Sequence, residues 1–213
     1  CWSSCATSPT GPRCASGGRC PVAPRQPLLP ESTITQTLPL LGAGALLSAC
    51  AAGPSMMAMK PVDNTTLPEP VRVPAGTKQT MATTGIGQIT YECREKAGMA
   101  GAHEWAFVAP VATLYGADKK MVGKYYAGPT WEAADGSKVT GKQLAVAPAM
   151  AGSIPLQLVK AEPAMGAGAM QGVSYIQRLN TKGGVAPAAA CDAASKGQRQ
   201  QVAYEADYVF YGS

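Results

Sequence analysis

From about residue 71 onward the chain alternates apolar and polar residues in short runs broken by Gly, Pro and Asp, and no stretch keeps helical spacing for three turns. A period of two puts successive side chains on opposite faces, so such runs form strands with one face buried. Ile89, Tyr91 and Cys93 share one face, with Gln88, Thr90 and Glu92 on the other. Trp105 and Phe107 alternate with Glu104 and Ala106 ahead of Pro110, after which 112–115 form a second run into a turn at Gly116-Ala117-Asp118. Further strands are predicted over 120–126, 130–133, 138–146, 154–160, 172–179 and 202–211. Asp135-Gly136, set between Trp131-Glu132 and Lys138-Val139, predicts a hairpin turn. Residues 188–196 suit one short turn of helix. In the last run Val202, Tyr204, Ala206, Tyr208 and Phe210 line one face, as expected of an internal rather than an edge strand. Strands this close, with no long helix to cross over, predict an all-β fold: an antiparallel β-sandwich or barrel-like single domain over 71–213.

The text upstream differs. The chain begins at Cys1 without Met, and 1–36 is expected to lie upstream of the true start or to be disordered. Its Cys1, Cys5, Cys14 and Cys20 form no C-x-x-C pair and have no His nearby, so they are assigned no chemistry. Residues 37–50 carry an apolar run of about 13 residues, the length of an export-signal core and too short to span a bilayer. The run ends in Leu47-Ser48-Ala49-Cys50, similar to a bacterial lipobox. Small residues fit a narrow peptidase groove, and only a thiol at the next position carries a lipid thioether, so Cys50 is the expected lipidation site. The alternative is an ordinary signal peptide, cut near Ala49-Cys50-Ala51, and a secreted product. Ala51, by resemblance to lipoproteins, points to the outer membrane, and acyl chains would make the membrane a partner. Residues 51–70 read as a flexible tether that includes the sequon Asn64-Thr65-Thr66.

Charge and residue types exclude several functions. A formal charge of +5, with Arg13, Arg19 and Arg25 in the leader, is too mild for a nucleic-acid reader. The single histidine, His103, would have to be the base of any Ser-His or Cys-His machine, and it sits in a Gly-rich loop. A zinc site fails because H-E-W-A-F lacks the second His one turn on. Asp118, Asp135, Asp192, Glu205 and Asp207 offer oxygens for calcium without the dense D-x-D-x-D-G pattern. Gly85-Ile86-Gly87 and Gly166-Ala167-Gly168 complete no nucleotide loop, and no G-x-S-x-G or P-loop occurs. No cofactor, metal or catalytic residue is therefore assigned. Paired carboxylates for glycoside cleavage would have to come from Glu104, Glu132, Asp135, Glu205 and Asp207. Cys93 and Cys191 are the only cysteines after Cys50. In an exported protein they are most simply a disulfide, with two separate buried thiols as the alternative.

Tyr125, Tyr126 and Trp131 flank Gly128-Pro129. Rings beside a rigid turn either stack on a sugar or apolar ligand, or pack in the core. These three, with Arg178, Asn180 and Lys182 as polar partners, are the candidate binding residues; Arg178 would equally satisfy a buried Glu.

The segments VRVPAGTKQ, GIGQITYEC, WAFVAPVATLY, GKYYAGPTWEAADGSKVTGK, IPLQLVKA, VSYIQRLNTKGGVAPAAACD and YEADYVFY occur in that order. In them the chain resembles the exported bacterial and fungal proteins grouped as domain of unknown function 3455. The resemblance spans about 71–211 and implies an export signal, one β-rich domain and a Cys93–Cys191 bridge, but no activity. The expected function is an envelope-anchored, non-enzymatic lipoprotein whose β-domain binds a small molecule, a carbohydrate or a partner. An exported carbohydrate hydrolase and a purely structural envelope protein are the alternatives.

Overall fold

The computed structural model describes residues 60–212; the leader, the apolar run, the Cys50 lipidation site and 51–59 lie outside them. Eight strands follow in order: β1 (Lys78–Glu95), β2 (His103–Tyr115), β3 (Met121–Tyr126), β4 (Thr130–Ala133), β5 (Lys138–Ala147), β6 (Leu156–Ala161), β7 (Val173–Gly183) and β8 (Arg199–Gly212). Each pairs antiparallel with its sequence neighbours, and β8 closes onto β1. Of the two predicted architectures the chain therefore adopts the barrel, an up-and-down meander without an edge strand. Among the described residues there is no α-helix, only two short 3-10 turns.

Alternation placed the strands, and it also sets what fills them. On β8 the predicted face, Tyr204, Ala206, Tyr208 and Phe210, is buried inside the barrel. One end is packed solid. Tyr125 packs tilted against Trp131 and Tyr208 with ring centroids 4.9 and 5.0 Å apart, and Tyr208 and Phe210 meet the Trp131 ring edge-on at 5.8 and 6.5 Å. Gly85 makes this possible, since a Cβ there would lie 2.6 Å from the Tyr208 ring. Loop 162–172 closes this base: Met165 bridges to Lys138, Met170 is buried, and Asp135 accepts from Ala169 N at 2.7 Å. The predicted Asp135-Gly136 hairpin joins β4 to β5, with Gly136 at φ 87°.

The structure corrects three readings. Pro110 does not divide two short strands: β2 runs through it. β2 pairs with β3 only from Val111 onward, so Pro110 sits where one edge of the strand is free and its missing N–H costs no ladder bond. Residues 188–196 form no helix; Asp192 and Ser195 make hydrogen-bonded turns in a loop pinned by the Cys93–Cys191 disulfide, whose Cα atoms are 5.5 Å apart. The third concerns 60–70, the described part of the expected tether, which is docked. Val62, Leu67, Val71 and Val73 pack on Leu158, Leu179, Val209 and Tyr211, covering the outer face of β6–β8. Gln177 is fully buried beneath this strap, donating to Val71 O at 2.6 Å and accepting from Tyr211 Oη at 2.7 Å. Asn64 spends its amide on Val73 N and O, both at 3.0 Å, so the sequon asparagine serves as a clamp.

Candidate functional site at the barrel mouth

The end opposite the base is open. β4, of 4 residues, is the shortest strand and β3 has only 6, so their turn at 127–129 leaves a low wall between the upper halves of β2 and β5. Behind it lies a cavity of about 470 Å³, lined by Ile89, Tyr91 and Tyr125 together with Phe107, Pro110, Gln143, Gln157 and Arg178. That volume suits one small ligand. The register explains the lining: Tyr91 stands opposite Phe107 and Ile89 opposite Pro110, the bulge between Thr90 and Tyr91 keeping both pairs facing inward. Gly141 contributes no side chain to the wall, and Phe107 is 56% exposed because the wall beside it stops short.

Among the described residues Arg178 carries the only formal charge on this lining. It sits opposite Tyr208 on the inward face of β7 and donates Nε and Nη2 to Pro155 O, at 3.2 and 2.9 Å. The expectation that it neutralises a buried Glu fails: among the described residues no carboxylate forms a salt bridge with it. Around it burial raises the hydroxyl pKa values of Tyr91, Tyr125, Tyr204 and Tyr208, Tyr125 to about 12, and the Arg178 charge pulls each partly back. The hydroxyls therefore stay protonated at neutral pH. Tyr91 donates to Gly184 O at 2.7 Å, and Tyr204 and Tyr208 bond each other at 3.1 Å. Tyr125, 5% exposed, lines the cavity and has no hydrogen-bond partner among the described residues.

The predicted binding residues do not form one cluster. Tyr125 and Arg178 meet in the cavity. Trp131, 1% exposed, is core packing below it. Tyr126 points outward and donates to Glu132 at 2.7 Å. Asn180 and Lys182 also lie outside, bonding Asp207 and Glu205 at 2.8 and 2.7 Å. Two-residue alternation would have set Asn180 beside Arg178, but its φ of 48° and the register shift between Leu179 and Lys182 turn it out. Ile89, Tyr91, Phe107, Gln143 and Gln157 went unrecognised because inward register at the mouth depends on pairing and bulges that sequence periodicity does not fix.

None of the acidic residues considered for glycoside cleavage lines the cavity. Glu132 is held ionised, at about 2, chiefly by the Tyr126 hydrogen bond together with Lys124 and Lys138. Asp118, Asp135 and Asp192 cap their own turns. His103 opens β2 opposite Glu95. Among the described residues no group of three or more His, Cys, Asp or Glu is placed to hold a metal.

Fold and site together define a class: a closed eight-stranded antiparallel barrel with a packed base, a cup at its mouth and a disulfide-pinned loop at the same end. The chain belongs to the family described as protein of unknown function DUF3455, whose model matches residues 74–212. No curated protein and no solved structure matches it.

Proposed function

We propose that this protein is a non-enzymatic binding barrel, exported and anchored to the cell envelope, that takes one small molecule into its mouth. The cavity carries this reading: it is open, mostly apolar, and lined by polar groups without a carboxylate or histidine to act as a proton-transfer pair. An open cup also weighs against a purely structural role, in which a barrel of this size would be filled to both ends. The signal-like run, the Cys50 lipobox and a disulfide that suits an oxidising compartment support the envelope placement.

The test uses the neutral apolar dye N-phenyl-1-naphthylamine. The wild type is expected to bind it with a rise in fluorescence, and Ala127→Trp, which plugs the mouth from the exposed 127–129 turn, to abolish the rise while melting at the same temperature. No binding by the wild type, or equal binding by the plugged variant, would overturn the assignment. For the anchor, mass spectrometry of membrane-extracted protein is expected to find an acylated Cys50 at the N-terminus; an unmodified terminus beyond it would remove the lipoprotein reading.

A further inference from the structure

Resting on the binding reading above, we infer that the cavity selects a monocarboxylate with an apolar body, the carboxylate seated on Arg178. A guanidinium offers five N–H donors in a planar fork. The Nε and Nη2 bonds to Pro155 O use the side edge of that fork and fix its orientation. The end edge, formed by Nη1 and the second Nη2 hydrogen, has no acceptor among the described residues. Two parallel donors at that spacing match the two oxygens of a carboxylate.

Three further observations favour this ligand. Among the described residues Arg178 has no counter-ion, and it sits among Tyr91, Tyr125 and Tyr208, where an unpaired charge is costly unless a ligand or solvent compensates it. The Tyr125 hydroxyl, protonated and without a hydrogen-bond partner among the described residues, is a donor at the cavity wall. The remaining lining, including Ile89, Phe107 and Pro110, offers an apolar slot that rewards a hydrocarbon chain or ring. With only one cation on the lining, a phosphate monoester would keep a second charge uncompensated, which separates a carboxylate head from a phosphate one.

Calorimetric titration of the intact, oxidised protein with decanoate, decan-1-ol and decyl phosphate tests the assignment. Decanoate is expected to bind about tenfold or more tighter than decanol, the range for a hydrogen-bonded charge pair, and tighter than decyl phosphate. In Arg178→Ala decanoate falls to the decanol level while decanol is unaffected. Arg178→Gln, which keeps a donor for Pro155 O, gives the same loss and guards against a collapsed loop. Equal binding of decanoate and decanol by the wild type, tighter binding of decyl phosphate, or a preference that survives both substitutions would overturn the carboxylate assignment and leave the binding barrel standing. Failure of all three ligands and of the neutral dye would remove both.

Discussion

Among the described residues, two inward side chains carry a fully buried polar atom, shut off from the cavity, that the barrel does not satisfy. Thr83 Oγ1 and Trp131 Nε1 are buried without a hydrogen-bond partner, each on a residue 1% exposed. A buried unmet donor or acceptor costs roughly 1–3 kcal/mol, so replacing it by an apolar group of similar shape removes the penalty. Thr83→Val is therefore expected to leave stability unchanged or raise it by up to about 1 kcal/mol, read from the urea midpoint. At Trp131 the same logic competes with lost volume: Trp131→Phe is expected to cost about 1–2 kcal/mol, against about 3–5 for Trp131→Ala, which also opens a cavity among Tyr125, Tyr208 and Phe210. Equal costs for the two Trp131 variants would show that the indole nitrogen is not a liability. At this scale the sequence was partly legible. Tyr125 and Arg178 were identified from their dense motifs, but Tyr126 and Asn180, one and two residues away, fall on the other surface because face depends on local pleat and bulge.

At the scale of the element, most strands were legible because alternation and turn residues are local signals. β4 spans the predicted 130–133, and β8 buries the predicted face. What failed was non-local: β2 survives Pro110 only because β3 stops at Tyr126, a fact of pairing rather than of composition. The β7–β8 loop depends on a partner equally distant in sequence. Its disulfide joins residues 98 apart, Gly197 N donates to Cys93 O at 2.8 Å, and Trp105 Nε1 reaches Ala189 O at 2.8 Å. Closing a loop of that length stabilises the fold by about 4–5 kcal/mol in the chain-entropy model. Cys93→Ala with Cys191→Ala is expected to lower the urea midpoint accordingly while far-UV circular dichroism still reports the barrel, since β1 and β8 stay paired from Lys78 to Glu92. An unchanged midpoint would mean that Trp105 and the loop's backbone bonds hold this end unaided.

At the scale of the molecule, the described residues form a barrel and the strap that covers one side of it. The family match begins at residue 74, whereas the strap includes Val62, Leu67, Val71 and Val73. A chain cut to start at 74 would expose Leu158, Leu179, Val209 and Tyr211 on the outside of the barrel and strand the buried Gln177 amide. The expected result is a lower melting temperature and strong binding of an apolar dye to that outer face, which plugging the mouth with Ala127→Trp would not suppress. Full stability of the truncated chain would show the strap to be dispensable. Nothing in the composition of 60–73 announced this docking, because Val62, Leu67, Val71 and Val73 follow no single period and find their partners on strands about a hundred residues later.

Lys60 lies beside Thr84, Tyr115 and the 116–119 turn, at the base of the barrel and away from the cup. Were Cys50 to carry acyl chains, ten residues, at most roughly 35 Å of chain, would separate the bilayer from that lower end. The protein would then stand on the membrane like a goblet on its stem, its opening turned to the surrounding fluid, and would collect cargo from water rather than from lipid. A thiol introduced by Met150→Cys, on the 82%-exposed upper loop, should react with a bulky maleimide on intact vesicles faster than one introduced by Ala117→Cys. The reverse order would place the rim against the headgroups.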